Sequence, residues 1–352
     1  MAYTSIDKPT DYFTTNLRSG LYGGSDTAFD IGFQPDWIWD KRRSDTSVHA
    51  LYDSVRGFGS SGKVLYSSNN NAEATNALID SVSSTGFTIK ASSDNTGTLV
   101  DWCWKAGTAF SNDASATSVG TIDSVGSFNN DSGFSIVTYS GTGSNGTIKH
   151  GLNSVPKIIF WKRRDNSAGA VNWIVQSTLF GNQTKLVLNT TEAFSTNSSF
   201  SQTDNWTNTL IDLKNYEGQN ASNGTYVAYC FAEKKGYSKI GNYLGNGSTN
   251  GAFVYTGFKP AFLLIKVTNS VDSWRLFDNK RSTSMNPVDI TLRPNTTDGD
   301  YTASANNVDF LSNGFKMRTT SGGYNGSSDD IIYMAFAESP FVTSTGIPAT
   351  PY

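Results

Sequence analysis

The sequence predicts an all-β chain built as three tandem homologous antiparallel β-sandwich units with a jelly-roll-like layout. Three observations lead there: a block repeated three times, short apolar runs punctuated by Gly, Asn and Ser, and almost no helical periodicity. The repeated block is a proline followed by a largely apolar run with a lysine six positions on. It appears as Pro35–Lys41 (PDWIWDK), Pro156–Lys162 (PKIIFWK) and Pro260–Lys266 (PAFLLIK). A second block closes each repeat: Val100–Lys105 (VDWCWK), Val227–Glu233 (VAYCFAE) and Ile332–Glu338 (IYMAFAE). A recurring period of this kind sets the architecture before any single element is assigned. The natural expectation is a row of beads, each of about a hundred residues and large enough for its own core.

The boundaries follow from the blocks. Residues 1–17 read as an N-terminal arm, 18–107 as the first repeat, 108–133 as a Ser/Asn/Asp-rich flexible linker, 134–234 as the second repeat, 235–341 as the third, and 342–352 as a C-terminal arm. In the second repeat, strands are expected near Phe134–Tyr139, Lys157–Lys162, Asn172–Gln176, Lys185–Leu188, Leu210–Leu213 and Tyr226–Glu233. In the third they are expected near Tyr237–Tyr243, Phe253–Thr256, Phe262–Val267, Trp274–Phe277, Val288–Leu292, Phe315–Arg318 and Ile331–Phe336. The one helical candidate is Ala72–Val82. The runs Ile158–Trp161 and Phe262–Ile265 do not alternate, which marks central strands apolar on both faces. Gly32, Gly151 and Gly257 stand just ahead of the three prolines, where a positive-φ turn leads into the strand.

Composition narrows the function. The 352 residues are 13 % aromatic and 16 % charged, with net charge −3. That balance lacks the basic footprint of a nucleic-acid-binding protein. The basic runs Lys41–Arg43 and Lys162–Arg164 read as solvated strand ends. Cys103 and Cys230 hold the same place in successive repeats, with Ala335 in the third, and read as small buried core residues rather than a disulfide. No apolar run approaches membrane-spanning length, and Met1–Ser5 does not resemble a signal peptide, so membrane insertion is not expected.

Catalytic material is thin, and no enzyme activity, metal or cofactor is expected. His49 and His150 sit at non-equivalent points, and no His/Cys spacing fits zinc. Asp298, Asp300, Asp329 and Asp330 lack the longer pattern of a calcium loop and read as polar turns. Glu233 and Glu338 end equivalent strands of different repeats, a poor arrangement for paired carboxylate chemistry. Trp173 and Trp274 occupy matched places, with His49 in the first repeat, and read as core. Trp206 has no such match. With Asp204 and Asn205 it forms the candidate saccharide-contacting loop, an exposed aromatic beside an amide and a carboxylate.

Gly236–Tyr243 (GYSKIGNY), Phe253–Phe262 (FVYTGFKPAF) and Tyr333–Thr350 resemble segments of repeat-containing virion structural proteins of marine tailed bacteriophages. Met1–Phe13 and Leu51–Gly57 are similar as well, so the resemblance spans most of the chain. It implies a non-enzymatic structural protein on the surface of the particle, either capsid decoration or a tail appendage component. It also implies partners among other capsid or tail proteins, a homo-oligomer or multicopy assembly, and a virion location after synthesis in the host cytoplasm. The alternative reading is a receptor- or glycan-binding tail fibre or adhesin that meets a host surface glycan.

Overall fold

In the computed structural model, which describes residues 3–92, 96–167, 169–303 and 306–348, the chain is all-β with several antiparallel sheets. Met1 and Ala2 of the expected N-terminal arm and residues 349–352 of the C-terminal arm lie outside the described residues. Each repeat contributes one large sheet in which the closing block lies between the repeat's first strand and its proline strand. In the first repeat the order is Phe13–Ser19, Thr98–Trp104, Trp37–Arg42, His49–Asp53, Lys63–Tyr66, Ala74–Thr75. The second runs Phe134–Ser140, Thr225–Phe231, Ile158–Arg163, Ile174–Ser177, Thr184–Val187, Ser195–Thr196. The third runs Ser238–Leu244, Asp330–Pro340, Phe258–Val267, Arg275–Asp278. The register agrees as well, because Trp37, Ile158 and Phe262 face Trp104, Phe231 and Phe336 across the same pair of strands.

A smaller sheet covers the outer face of each large one. Its strands are Thr27–Asp30, Gly86–Ile89 and Ile79–Ser83 in the first repeat, Gly146–Lys149 and Leu210–Leu213 in the second, and Phe253–Tyr255, Gly314–Met317 and Val308–Leu311 in the third. The matching glycines do as expected: Gly32, Gly151 and Gly257 have φ of 86°, 83° and 84°.

The row-of-beads expectation is overturned. Side chains alternate along a strand, and the inner set of every large sheet enters one shared core. Trp102 and Trp104, Tyr229 and Phe231, and Met334 and Phe336 all lie in that core, with Trp37, Phe160 and Phe262. Their neighbours Cys103, Cys230 and Ala335 point the other way, into three separate outer cores beneath the small sheets. Both cysteines are free and buried, as expected. This is why the proline strands are apolar on both sides: one face serves the repeat's own small sheet, the other serves the other two repeats.

At the middle, Trp104, Phe231 and Phe336 form a triangle. Their ring centroids lie 6.4, 5.6 and 5.9 Å apart, all edge-on. Three register-equivalent side chains in mutual contact place the large sheets around a common axis.

Other expectations need correction. The expected linker 108–133 is folded: Thr108–Asn112 and Ser124–Asn129 pair and extend the second sheet beyond Phe134–Ser140. Its small residues permit close approach, since a Cβ on Gly126 would stand 2.2 Å from the Ile136 carbonyl oxygen. The N-terminal arm ends at Tyr12, because Phe13–Ser19 is the edge strand of the first sheet. The arms also meet, through Asp7 and the Ser344 backbone N–H at 2.6 Å. The helix expected at 72–82 is instead strand at Ala74–Thr75 and Ile79–Ser83. Only Ile79 of that second strand is buried, so pairing at a sheet margin outweighs its weak helical periodicity.

The lysines closing the proline strands are not solvated ends. Lys41, Lys162 and Lys266 are at most 1 % exposed. Lys41 Nζ donates to the Thr297 carbonyl at 3.1 Å and Lys162 Nζ to the Asn70 carbonyl at 3.2 Å, each in another repeat. Lys266 Nζ donates to the carbonyls of Val267 and Ser270. Burial lowers all three ammonium pKa values to about 8.

Candidate functional site

The aromatic ring expected to be exposed in the candidate saccharide-contacting loop is buried. Trp206 is only 5 % exposed, lies 5.6 Å from Trp161 edge-on, and donates its Nε1–H to Ser201 Oγ at 3.0 Å. Asp204 and Asn205 are exposed in the turn Thr203–Asn205, and Asn205 bonds Gln202. The structure therefore brings the two polar groups to the surface without an aromatic ring. Trp206 instead fills the core under the small sheet with Ile211 and Leu213.

The other titratable candidates are structural. His150 is buried, its Nδ1 accepts from the Leu152 N–H, and its Nε2 lies 3.2 Å from the Thr207 carbonyl. Burial lowers its pKa to about 4. Between pH 6.5 and about 4 the unfolded chain takes a proton that the fold refuses, so stability falls as pH falls through that window. His150→Gln is expected to shallow this acid limb, by at most about 1.4 kcal/mol per pH unit. Denaturant titrations at several pH values measure it; an unchanged slope refutes the assignment.

Glu233 accepts from the Ile240 N–H and Lys239, while Glu338 pairs with Lys259. Asp329 accepts from the N–H groups of Gly323 and Gly326, fixing a turn.

Buried charge holds a set within the first repeat, Arg18 with Asp40 and Asp101, and further sets at two contacts between repeats. Asp53 of the first repeat accepts from the Tyr229 hydroxyl of the second at 2.6 Å. Asp278 of the third accepts from Trp102 Nε1 of the first at 3.0 Å. Each aspartate also holds an arginine three residues on: Arg56 at 2.5 Å and Arg281 at 2.6 Å. A second carboxylate then links that arginine to one from the next repeat. Glu73 joins Arg56 and Arg164, and Asp300 joins Arg281 and Arg43. Between the second and third repeats, the same register positions hold Ser177, Phe180, Phe194, Thr268 and Met334. There Phe180 and Phe194 stack edge-on at 4.4 Å, and the Phe194 N–H donates to the Thr268 carbonyl.

Two indoles and a histidine share one further register position. Trp173 Nε1 donates to the Tyr66 carbonyl at 2.8 Å and Trp274 Nε1 to the Val187 carbonyl at 2.9 Å, each crossing to the preceding repeat. His49 takes the matching position in the first repeat, with Nδ1 accepting from Trp39 Nε1 at 3.0 Å. Its other nitrogen is buried and faces the Arg293 backbone without closing a bond of normal geometry. Burial, with Lys41 and Arg281 nearby, lowers its pKa well below the usual value.

One of these junctions opens into a cleft of about 410 Å³ between the first and third repeats. Arg43–Thr46 forms one wall; Thr291, Arg293 and Asp298–Tyr301 form the other. The walls are joined by Asp300 N–H to the Arg43 carbonyl and Ser47 N–H to the Thr297 carbonyl, both at 2.8 Å. Gly299 lets them touch: a Cβ there would stand 2.6 Å from the Arg43 carbonyl oxygen.

Among the comparisons with known proteins, the model of a domain of unknown function, DUF7483, matches residues 8–340. No curated protein and no solved structure matches the chain.

Proposed function

The chain belongs to the DUF7483 family, and we propose that it is a non-enzymatic structural protein exposed on the surface of a phage particle. In this reading its three repeats are homologous antiparallel sandwich units, jelly-roll-like, closed into the single-chain counterpart of a trimer. The observation that carries it is the triangle of Trp104, Phe231 and Phe336. Each repeat contacts the next through the same register positions, from first to second, second to third and third to first. Head-to-tail contacts that close in this way consume the cohesive faces and form no open filament.

What remains outward is three small sheets and their loops. Such a block suits a capsid decoration or a tail appendage component, where repeated outward faces dock on neighbouring capsid or tail proteins and several weak contacts add. The resemblance carried by Gly236–Tyr243, Phe253–Phe262 and Tyr333–Thr350 supports the same reading, as does the use of charge for holding repeats together. In purified particles of a tailed phage encoding this chain, mass spectrometry is expected to find it in multiple copies. Its absence from intact particles overturns the proposal.

A glycan-binding adhesin is the second reading. The first-to-third cleft favours it, in place of the Trp206 loop.

A further inference from the structure

We propose that the cleft between the first and third repeats is a binding site for a neutral saccharide, with Tyr301 as its stacking platform. Three junctions share one construction, so differences among them mark what construction alone does not require. At the register position of Tyr301 the other repeats carry Ala74 and Ser195, and at that of Arg293 they carry Tyr66 and Val187. Among the described residues, only the first-to-third junction holds an aromatic ring and a guanidinium together at these two positions.

Tyr301 is 46 % exposed, and the Arg293 guanidinium lies 5.1 Å from its ring centroid. The cation braces the aromatic ring while much of it remains open to solvent. An open phenol ring beside polar groups suits the C–H face of a sugar, with hydroxyls bonded around its edge. Acceptors are at hand in the exposed carboxylates of Asp45 and Asp298. Beneath this surface, Arg293 Nε and the Thr291 hydroxyl are buried and have no hydrogen-bond partner among the described residues.

Charge decides the ligand class. Arg43 and Arg293 face Asp45, Asp298 and Asp300, and the Arg43–Asp300 pair is already closed at 2.7 Å. Each carboxylate is already paired, Asp45 with Arg42, Asp298 with Arg293 and Asp300 with both Arg43 and Arg281, so the cations at the cleft are neutralised and offer a polyanion little net attraction. The Gly299 contact and the cross-wall hydrogen bonds hold both walls before any ligand arrives, which lowers the cost of ordering on binding.

The test is isothermal titration and saturation-transfer NMR on the full chain, with cellotetraose, maltotetraose and chitotetraose as neutral probes and a heparin tetrasaccharide as the anionic one. Saturable binding of at least one neutral probe is expected, weakened about tenfold by Tyr301→Ala and unchanged by Tyr255→Ala, an exposed ring elsewhere. Tyr301 is exposed, so the variant is expected to keep the wild-type melting transition. No binding by any neutral probe, equal binding by Tyr301→Ala, or a preference for the heparin fragment overturns the site. None of these outcomes touches the particle-composition test, so the two readings fail separately.

Discussion

Trp104→Ala is expected to destabilise the whole chain by about 3–5 kcal/mol, the usual loss for emptying a large aromatic site in a core. The same range is expected for Phe231→Ala and Phe336→Ala, because all three side chains are at most 2 % exposed and contact one another. The triangle is shared by three repeats, so its loss should lower one cooperative unfolding transition followed by circular dichroism and fluorescence in urea. Independent beads would respond differently: one of three transitions would move and two would stay. Trp104→Phe separates ring packing from the rest. The Trp104 indole N–H has no partner among the described residues, and phenylalanine already serves at the other two corners, so this variant leaves a smaller cavity and should lose less than Trp104→Ala. A loss below about 1 kcal/mol in Trp104→Ala would mean that the shared core does not hold the repeats together.

Strand positions were legible because the signal is local. Leu210–Leu213 was expected and observed with the same bounds, and the strand expected at Phe134–Tyr139 ends one residue later, at Ser140. The double-faced burial of the proline strands was legible too, from their unbroken apolar runs. What lay against the second face was not, since alternation tells that a face is buried and nothing about which repeat covers it. The same blindness hid Lys41 and Lys162, which at the sequence level look like any charged strand end and are buried among carbonyls, one of them from another repeat. Trp206 failed for a related reason. Lack of a counterpart in the other repeats does not make a residue a surface one, and Trp206 fills a local core. The cleft at Tyr301 was illegible, because Arg43 and Asp300 are 257 residues apart and meet only when the ring of repeats closes.

The buried polar junction between the first and second repeats supplies the other large effect. Asp53→Ala leaves the fully buried Arg56 guanidinium without its nearest carboxylate and the Tyr229 hydroxyl without its acceptor. Breaking such a pair by removing one partner costs about 3–5 kcal/mol, because desolvation of the survivor is no longer offset. The molecule itself contains the apolar alternative, at the junction of the second and third repeats. Transplanting it means Asp53→Ser, Arg56→Phe, Glu73→Phe, Arg164→Thr and Tyr229→Met together, after Ser177, Phe180, Phe194, Thr268 and Met334. Replacing a buried ionic set by packed apolar groups is often neutral or favourable, so the five-fold variant should recover most of what Asp53→Ala loses. Stability near the wild-type midpoint in urea is the expected result. A five-fold variant as weak as Asp53→Ala would show that the junctions are not interchangeable, and that the register match between repeats does not extend to their packing. The ion-pair set then serves as address rather than adhesive: polar faces match polar ones and the apolar face its apolar partner, so the reverse order of closure would set unlike faces together.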